Sequence, residues 1–216
     1  MNERACQAAS LLERLAPPFA RAVFPGLELP GARDEDLVCR QIGRRCQGRI
    51  LISCRCPRGR PAVILTLPLE GEGGSAPPLL WLTCPHAAAR VGTLESTGES
   101  KRIAARLKSD QAASVLFAQD EERFSVLQES LARLVSGELA GRVRKKGAAG
   151  GRVGAVKCLH AHLAYRLSAC PESFLSPPGE RVGGDRGPAI IGRWCQELLA
   201  REDGNWCERP PAACVT

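Results

Sequence analysis

Lys157-Cys158-Leu159-His160-Ala161-His162 gathers a thiol, two imidazoles and an ammonium into six residues, in a chain whose one other histidine is His86. Two more cysteines sit in compact settings, Arg55-Cys56-Pro57 and Thr83-Cys84-Pro85. Each of the three thiols falls where a regular element starts or stops. Thiols at helix N-termini ionise readily, which favours metal binding or nucleophilicity, and a proline after the cysteine stiffens the turn. Soft thiolate donors select zinc, copper(I) or iron–sulfur. The expected centre is therefore Cys56, Cys84 and Cys158 with one histidine. That histidine is His160 if Cys158 is still in the loop. It is His162 if both are helical, because positions i and i+4 share a face. The set suits a tetrahedral zinc shell, or a cubane cluster held by three cysteines with one iron open. The alternative is that these thiols are buried or redox-active and hold nothing.

Arg55, Arg58, Arg60 and Arg90 flank the first two cysteines, so the expected site is positively lined and suits an anionic substrate or a nucleic-acid backbone. Lys157 and His160 are the candidate acid–base groups beside the centre. The stretch from Arg142 to Lys157 holds six basic residues, four interleaved glycines and no acid. A glycine-rich turn before a helix can cradle an anion, but the phosphate-loop pattern ending in Gly-Lys-Ser/Thr is absent. Cys54 is a spare near Cys56. Cys6, Cys39, Cys46, Cys170, Cys195, Cys207 and Cys214 have no histidine or second close thiol beside them and read as structural.

The elements that must position these groups follow from pattern. Leu11, Leu12 and Leu15 predict a helix within 5–24, which Pro17-Pro18 ends or kinks. Asp34-Glu35-Asp36 caps a short helix through Val38 and Ile42. Residues 49–54, 61–68 and 79–83 are apolar runs with turn signals between them, predicting three antiparallel strands. From Cys84-Pro85 the pattern becomes helical, with stops near Gly98 and Gly137. Leu159, Leu163 and Leu167 put a helix over 158–170, and one more helix covers about 189–201.

The whole chain, 216 residues with 44% hydrophobic and 4% aromatic content, is long enough for one core built from Leu, Val, Ile and Ala. Few aromatics weaken any base-stacking model. The net charge of +7 favours polyanions nearby. No apolar run approaches the roughly 18 residues of a membrane span, and the start lacks a signal pattern. A cytoplasmic protein is expected, whose eleven cysteines stay reduced.

Gln41-Ile42-Gly43-Arg44, Arg55-Cys56-Pro57-Arg58-Gly59-Arg60-Pro61-Ala62-Val63, Trp81-Leu82-Thr83-Cys84-Pro85 and Val156-Lys157-Cys158-Leu159-His160-Ala161 together resemble the bacterial domain-of-unknown-function family 501, from about Asp34 to Gly179. The family's Asn-Pro-x-Gly turn appears here as Ser176-Pro177-Pro178-Gly179. The resemblance implies that Cys56, Cys84, Cys158 and His160 are the site residues. Gene neighbours of its members, linked to cell division and polyphosphate, imply a phosphorylated partner.

The expectation is an α+β chain, a small antiparallel sheet covered by several helices with a Cys/His cluster at the sheet end. Residues 1–33 form a helical extension, 34–180 the core domain and 181–216 a C-terminal helix and tail. The expected function is an enzyme using zinc or an iron–sulfur cluster on an anionic or phosphorylated small molecule. Metal ligands are Cys56, Cys84, Cys158 and His160, anion-binding groups Arg55, Arg58 and Arg90, and catalytic groups Lys157 and His160. The competing expectation is a non-catalytic RNA- or protein-binding module with structural zinc.

Overall fold

The computed structural model describes residues 17–46, 48–67, 80–134, 136–143, 147, 154–171 and 189–203. The expected helix before residue 17, the Gly/Pro-rich loop, most of the basic loop and the tail segments lie outside these. The described chain is α+β: helices α1 (Pro18–Val23) and α2 (Asp34–Ile42), strands β1 (Arg49–Arg55), β2 (Pro61–Leu67) and β3 (Leu80–Leu82), then α3 (Pro85–Ser96), α4 (Glu99–Ser109), α5 (Gln111–Arg133), α6 (Gly137–Val143), α7 (Leu159–Ala169) and α8 (Ile190–Asp203). The strands form one antiparallel sheet in the order β1-β2-β3.

Both faces of the sheet are covered, and the period of two assigns the side chains. Ile50, Ile52 and Ile64 pack with Val38 of α2 on one face. Leu51, Val63, Leu65, Leu80 and Leu82 join the main core with α3, α5, α7 and α8 on the other. A register shift after Ile52 breaks the alternation: Ile52 pairs with Ile64, and Cys54 then pairs with Val63. The extra residue, Ser53, turns Cys54 out of the face of Ile52 and into the main core. Gly26 packs on this bulge, where a β-carbon would lie 2.7 Å from the Ser53 carbonyl oxygen.

Pro17-Pro18 stands at the opening of α1. Pro18 stands in the first turn of α1, where its missing N–H has no partner to lose and its fixed φ is already helical. Ala20, Phe24 and Leu27 from this region enter the main core, and Glu28 bridges to Ile52. Aromatic edges organise the centre: Tyr165 of α7 meets Phe24 at 5.9 Å and Phe124 at 5.4 Å. Among the described residues, no helix is long and apolar enough to cross a membrane.

Candidate metal centre

Helix α3 begins at Cys84, with Pro85 in its first turn, and runs 12 residues. Its last turn carries no base but does carry Glu95, an acid at the negative end of the helix dipole, where a local preference would place a cation. Tertiary structure supplies the compensation. Leu159 N–H, the first of α7, donates to Glu95 Oε1 at 2.6 Å, so the carboxylate caps the positive end of another helix. Its second oxygen, Oε2, stands 3.3 Å from His160 Nδ1.

Cys158 is the residue before α7 and is extended, with φ −134° and ψ 110°. The i, i+4 rule for a shared helical face therefore does not apply to it, and the two histidines part company. His160 joins Cys158, whereas His162 turns into the core, 3% exposed, with its ring 5.8 Å from that of Phe117. Burial pushes His162 down to about 4, so it is neutral. His160 is pushed up to about 9 by its hydrogen bond with Cys158, helped by the Glu95 charge and the Ala88 carbonyl and opposed by burial.

Glu95, Cys158 and His160 each bring one donor atom to a place where all three lie within 4.8 Å of one another. The rest of their hydrogen bonding says which atoms are spare. His160 Nε2 lies 2.9 Å from the Ala88 carbonyl oxygen, which only accepts, so Nε2 carries a proton and Nδ1 is the nitrogen left to take a second proton or a metal ion. With Oε1 held by Leu159 N–H, Glu95 has Oε2 left, and Cys158 adds its sulfur. A lone pair facing a carboxylate oxygen at this range needs a cation between them: a proton, or a metal ion. One thiolate, one imidazole and one carboxylate suit zinc. Buried Cys195 of α8 lies within electrostatic reach of both Glu95 and Cys158, and burial pushes its thiol up to about 12.

Cys56 and Cys84 are not in this group. For Cys84 the reason is length: Glu95 lies eleven residues further along α3, about 16 Å of helix at 1.5 Å per residue, so one ion cannot touch both. Cys84 is buried at the N-terminus of α3. Cys56 sits at the hairpin end, its N–H donating to Arg60 O at 2.9 Å. Arg55 is not available to an anion either. Its guanidinium is clasped by Glu28, by both oxygens of Asp34 (2.6 and 3.1 Å) and by the Gly59 carbonyl (2.8 Å), and this pairing holds the Asp34 carboxyl below the usual range. Arg58 is exposed at the hairpin tip, Lys157 is exposed beside Cys158, and Arg90 is half-buried on α3.

Glu95 is the residue that pattern reading passed over. Its signal was present, though faint: an acid in the wrong turn of a helix.

A comparison with protein families matches residues 52–182 to a family described as a protein of unknown function, DUF501. The chain belongs to this family. The DUF501 match contains all of Cys56, Cys84, Glu95, Cys158 and His160, while α1, α2 and α8 lie outside it. No curated protein and no solved structure matches the chain.

Proposed function

We propose that this DUF501 protein is an enzyme built around one zinc-class cation held by Cys158 Sγ, His160 Nδ1 and Glu95 Oε2. The observation that carries this reading is that each residue has one donor atom to spare. His160 Nε2 and Glu95 Oε1 are already committed to Ala88 O and Leu159 N, so the remaining atoms are orientated before any ion arrives. Three protein ligands leave a fourth position for water or substrate, the arrangement of catalytic rather than structural zinc. The side chains of His160 and Glu95 are about one-third exposed, at 31% and 30%, so a small molecule can reach that position. A cation there polarises a carbonyl or phosphoryl oxygen, or lowers the pKa of bound water to about 7.

Lys157 is exposed next to Cys158 and is the group placed to meet an anionic substrate and to return a proton to a leaving group. His160, once bound to the ion, is a ligand and not an acid–base group. The donor set holds a single thiolate, which supports zinc over a cluster held by three cysteines.

The test is metal analysis and a visible spectrum after anaerobic purification. One zinc per chain, no colour, loss of zinc in Cys158→Ser and His160→Gln, and retention in Cys56→Ser and Cys84→Ser are expected. A brown protein that loses iron in the Cys56 and Cys84 variants would overturn the reading in favour of a cluster.

A further inference from the structure

A separate cleft opens between α4 and α8, with a cavity of about 270 Å³. Its apolar wall is Ile103 and Leu198. Arg106 lies over Trp194 at 3.8 Å from the ring centroid, and Trp194 is itself buried, 2% exposed. A guanidinium stacked on an indole is held flat, with its in-plane N–H donors directed outward. The Trp194 Nε1–H is buried and has no acceptor among the described residues, so its NMR signal is not tied to a fixed internal hydrogen bond.

The charges leave room for an anion. Glu99 is paired with Arg102, and Glu197 with Arg193 at 3.7 Å. Among the described residues no carboxylate pairs with Arg106 or with Arg201 at the cleft's other end. Three arginines therefore line the cavity against two acids that are already engaged. The volume falls just below the roughly 300–1,000 Å³ of drug-sized pockets, enough for one ring and a charged head.

We propose that this cleft binds a small organic oxyanion on a flat apolar body, an aryl phosphate or aryl carboxylate. The body rests against Ile103 and Leu198, and the charged head sits between Arg106 and Arg201. This inference stands whether or not a metal occupies the Glu95 group.

Phenyl phosphate titrated into ¹⁵N-labelled protein at about 0.15 M salt, where free surface charge is screened, tests it through the tryptophan indole N–H signals. Trp81 is an internal reference, since Arg44 lies over it in the same manner at 4.5 Å but on the other face of the sheet. The expected result is a saturable displacement of the Trp194 signal with Kd of about 1 mM, little movement at Trp81, and weaker binding of inorganic phosphate. Arg106→Gln should weaken binding about tenfold. Arg201→Glu, at an exposed position that leaves folding untouched, should also weaken it. Equal movement of Trp81 and Trp194, no displacement at about ten times the expected Kd, or undiminished binding by either variant would overturn the proposal.

Discussion

Glu95 Oε1 accepts the Leu159 amide hydrogen at 2.6 Å across 64 residues of sequence, so one carboxylate both caps a helix and faces the candidate ion. The two duties separate by mutation. Glu95→Gln keeps an acceptor for Leu159 N–H and gives up only the charge facing His160, so it should cost the metal-free protein less than the alanine variant. Glu95→Ala removes the cap and should cost about 1–2 kcal/mol. Both should lower zinc affinity on the order of 100-fold. Urea unfolding and competition with a zinc chelator measure the pair, and equal zinc affinity in wild type and Glu95→Gln would remove Glu95 from the ligand set.

Zinc must displace the proton that otherwise lies on His160 Nδ1. With the metal-free pKa near 9, this group alone should make apparent affinity rise at least tenfold per pH unit over the neutral range. Loading at neutral pH should release about one proton from this group, as well as any lost by Cys158. Calorimetry in buffers of different ionisation enthalpy counts them.

His160 and His162 should shape the stability of the metal-free protein in opposite senses. The folded pKa of His160 is raised, so its contribution is full below the unfolded value near 6.5 and is lost as pH climbs through about 9. For His162 the folded pKa is depressed, so stability declines as pH falls from about 6.5 toward 4. The maximum belongs near pH 6.5. His160→Gln should flatten the alkaline limb, by about 1–2 kcal/mol after allowance for its partial exposure, and His162→Leu the acid one. Denaturant midpoints at about pH 5, 6.5 and 8.5 decide it.

Arg55 holds the loop before α2 to the β1–β2 turn rather than a ligand. Arg55→Gln should cost about 2 kcal/mol, because two charge-assisted pairs and a carbonyl lose their donor. Arg55→Lys should recover only part of that, lacking the planar fork. Neither should change zinc content.

Helices α7 and α8 touch at Gly192, where a β-carbon would lie 2.2 Å from the His162 carbonyl oxygen and 2.5 Å from Arg166 Cβ. A backbone atom cannot give way as a flexible side chain does, so Gly192→Ala must separate the helices. A loss of roughly 3 kcal/mol is expected. A midpoint close to wild type would show that the crossing is looser than described.

The sheet was legible because its strands are apolar, β-branched runs bounded by proline and glycine, signals that local chemistry writes into the chain. Helix α7 was legible from Leu159, Leu163 and Leu167. Cys158 and His160 were visible because both lie in one short stretch. What local pattern could not carry was partnership across distance. Arg55 looks like a free cation beside a cysteine until Glu28 and Asp34 are brought to it, and Glu95 looks like a solvated helix residue until α7 docks. Cys84 and Cys158 have matching settings at helix starts, but a matching setting does not put both in one donor group. The bulge at Ser53 shows the same limit on a smaller scale: one extra residue reverses which side of the sheet Cys54 occupies.

The long span between Glu95 and Leu159 also has a kinetic corollary. Contacts so remote along the polypeptide must meet a loop-closure cost before they reward it, and the Glu95 group is complete only once α3 and α7 have docked. The ion would be a passenger taken on by a finished scaffold, in contrast to zinc fingers, whose polypeptide cannot fold until metal arrives. Chelators should therefore strip this protein without melting it.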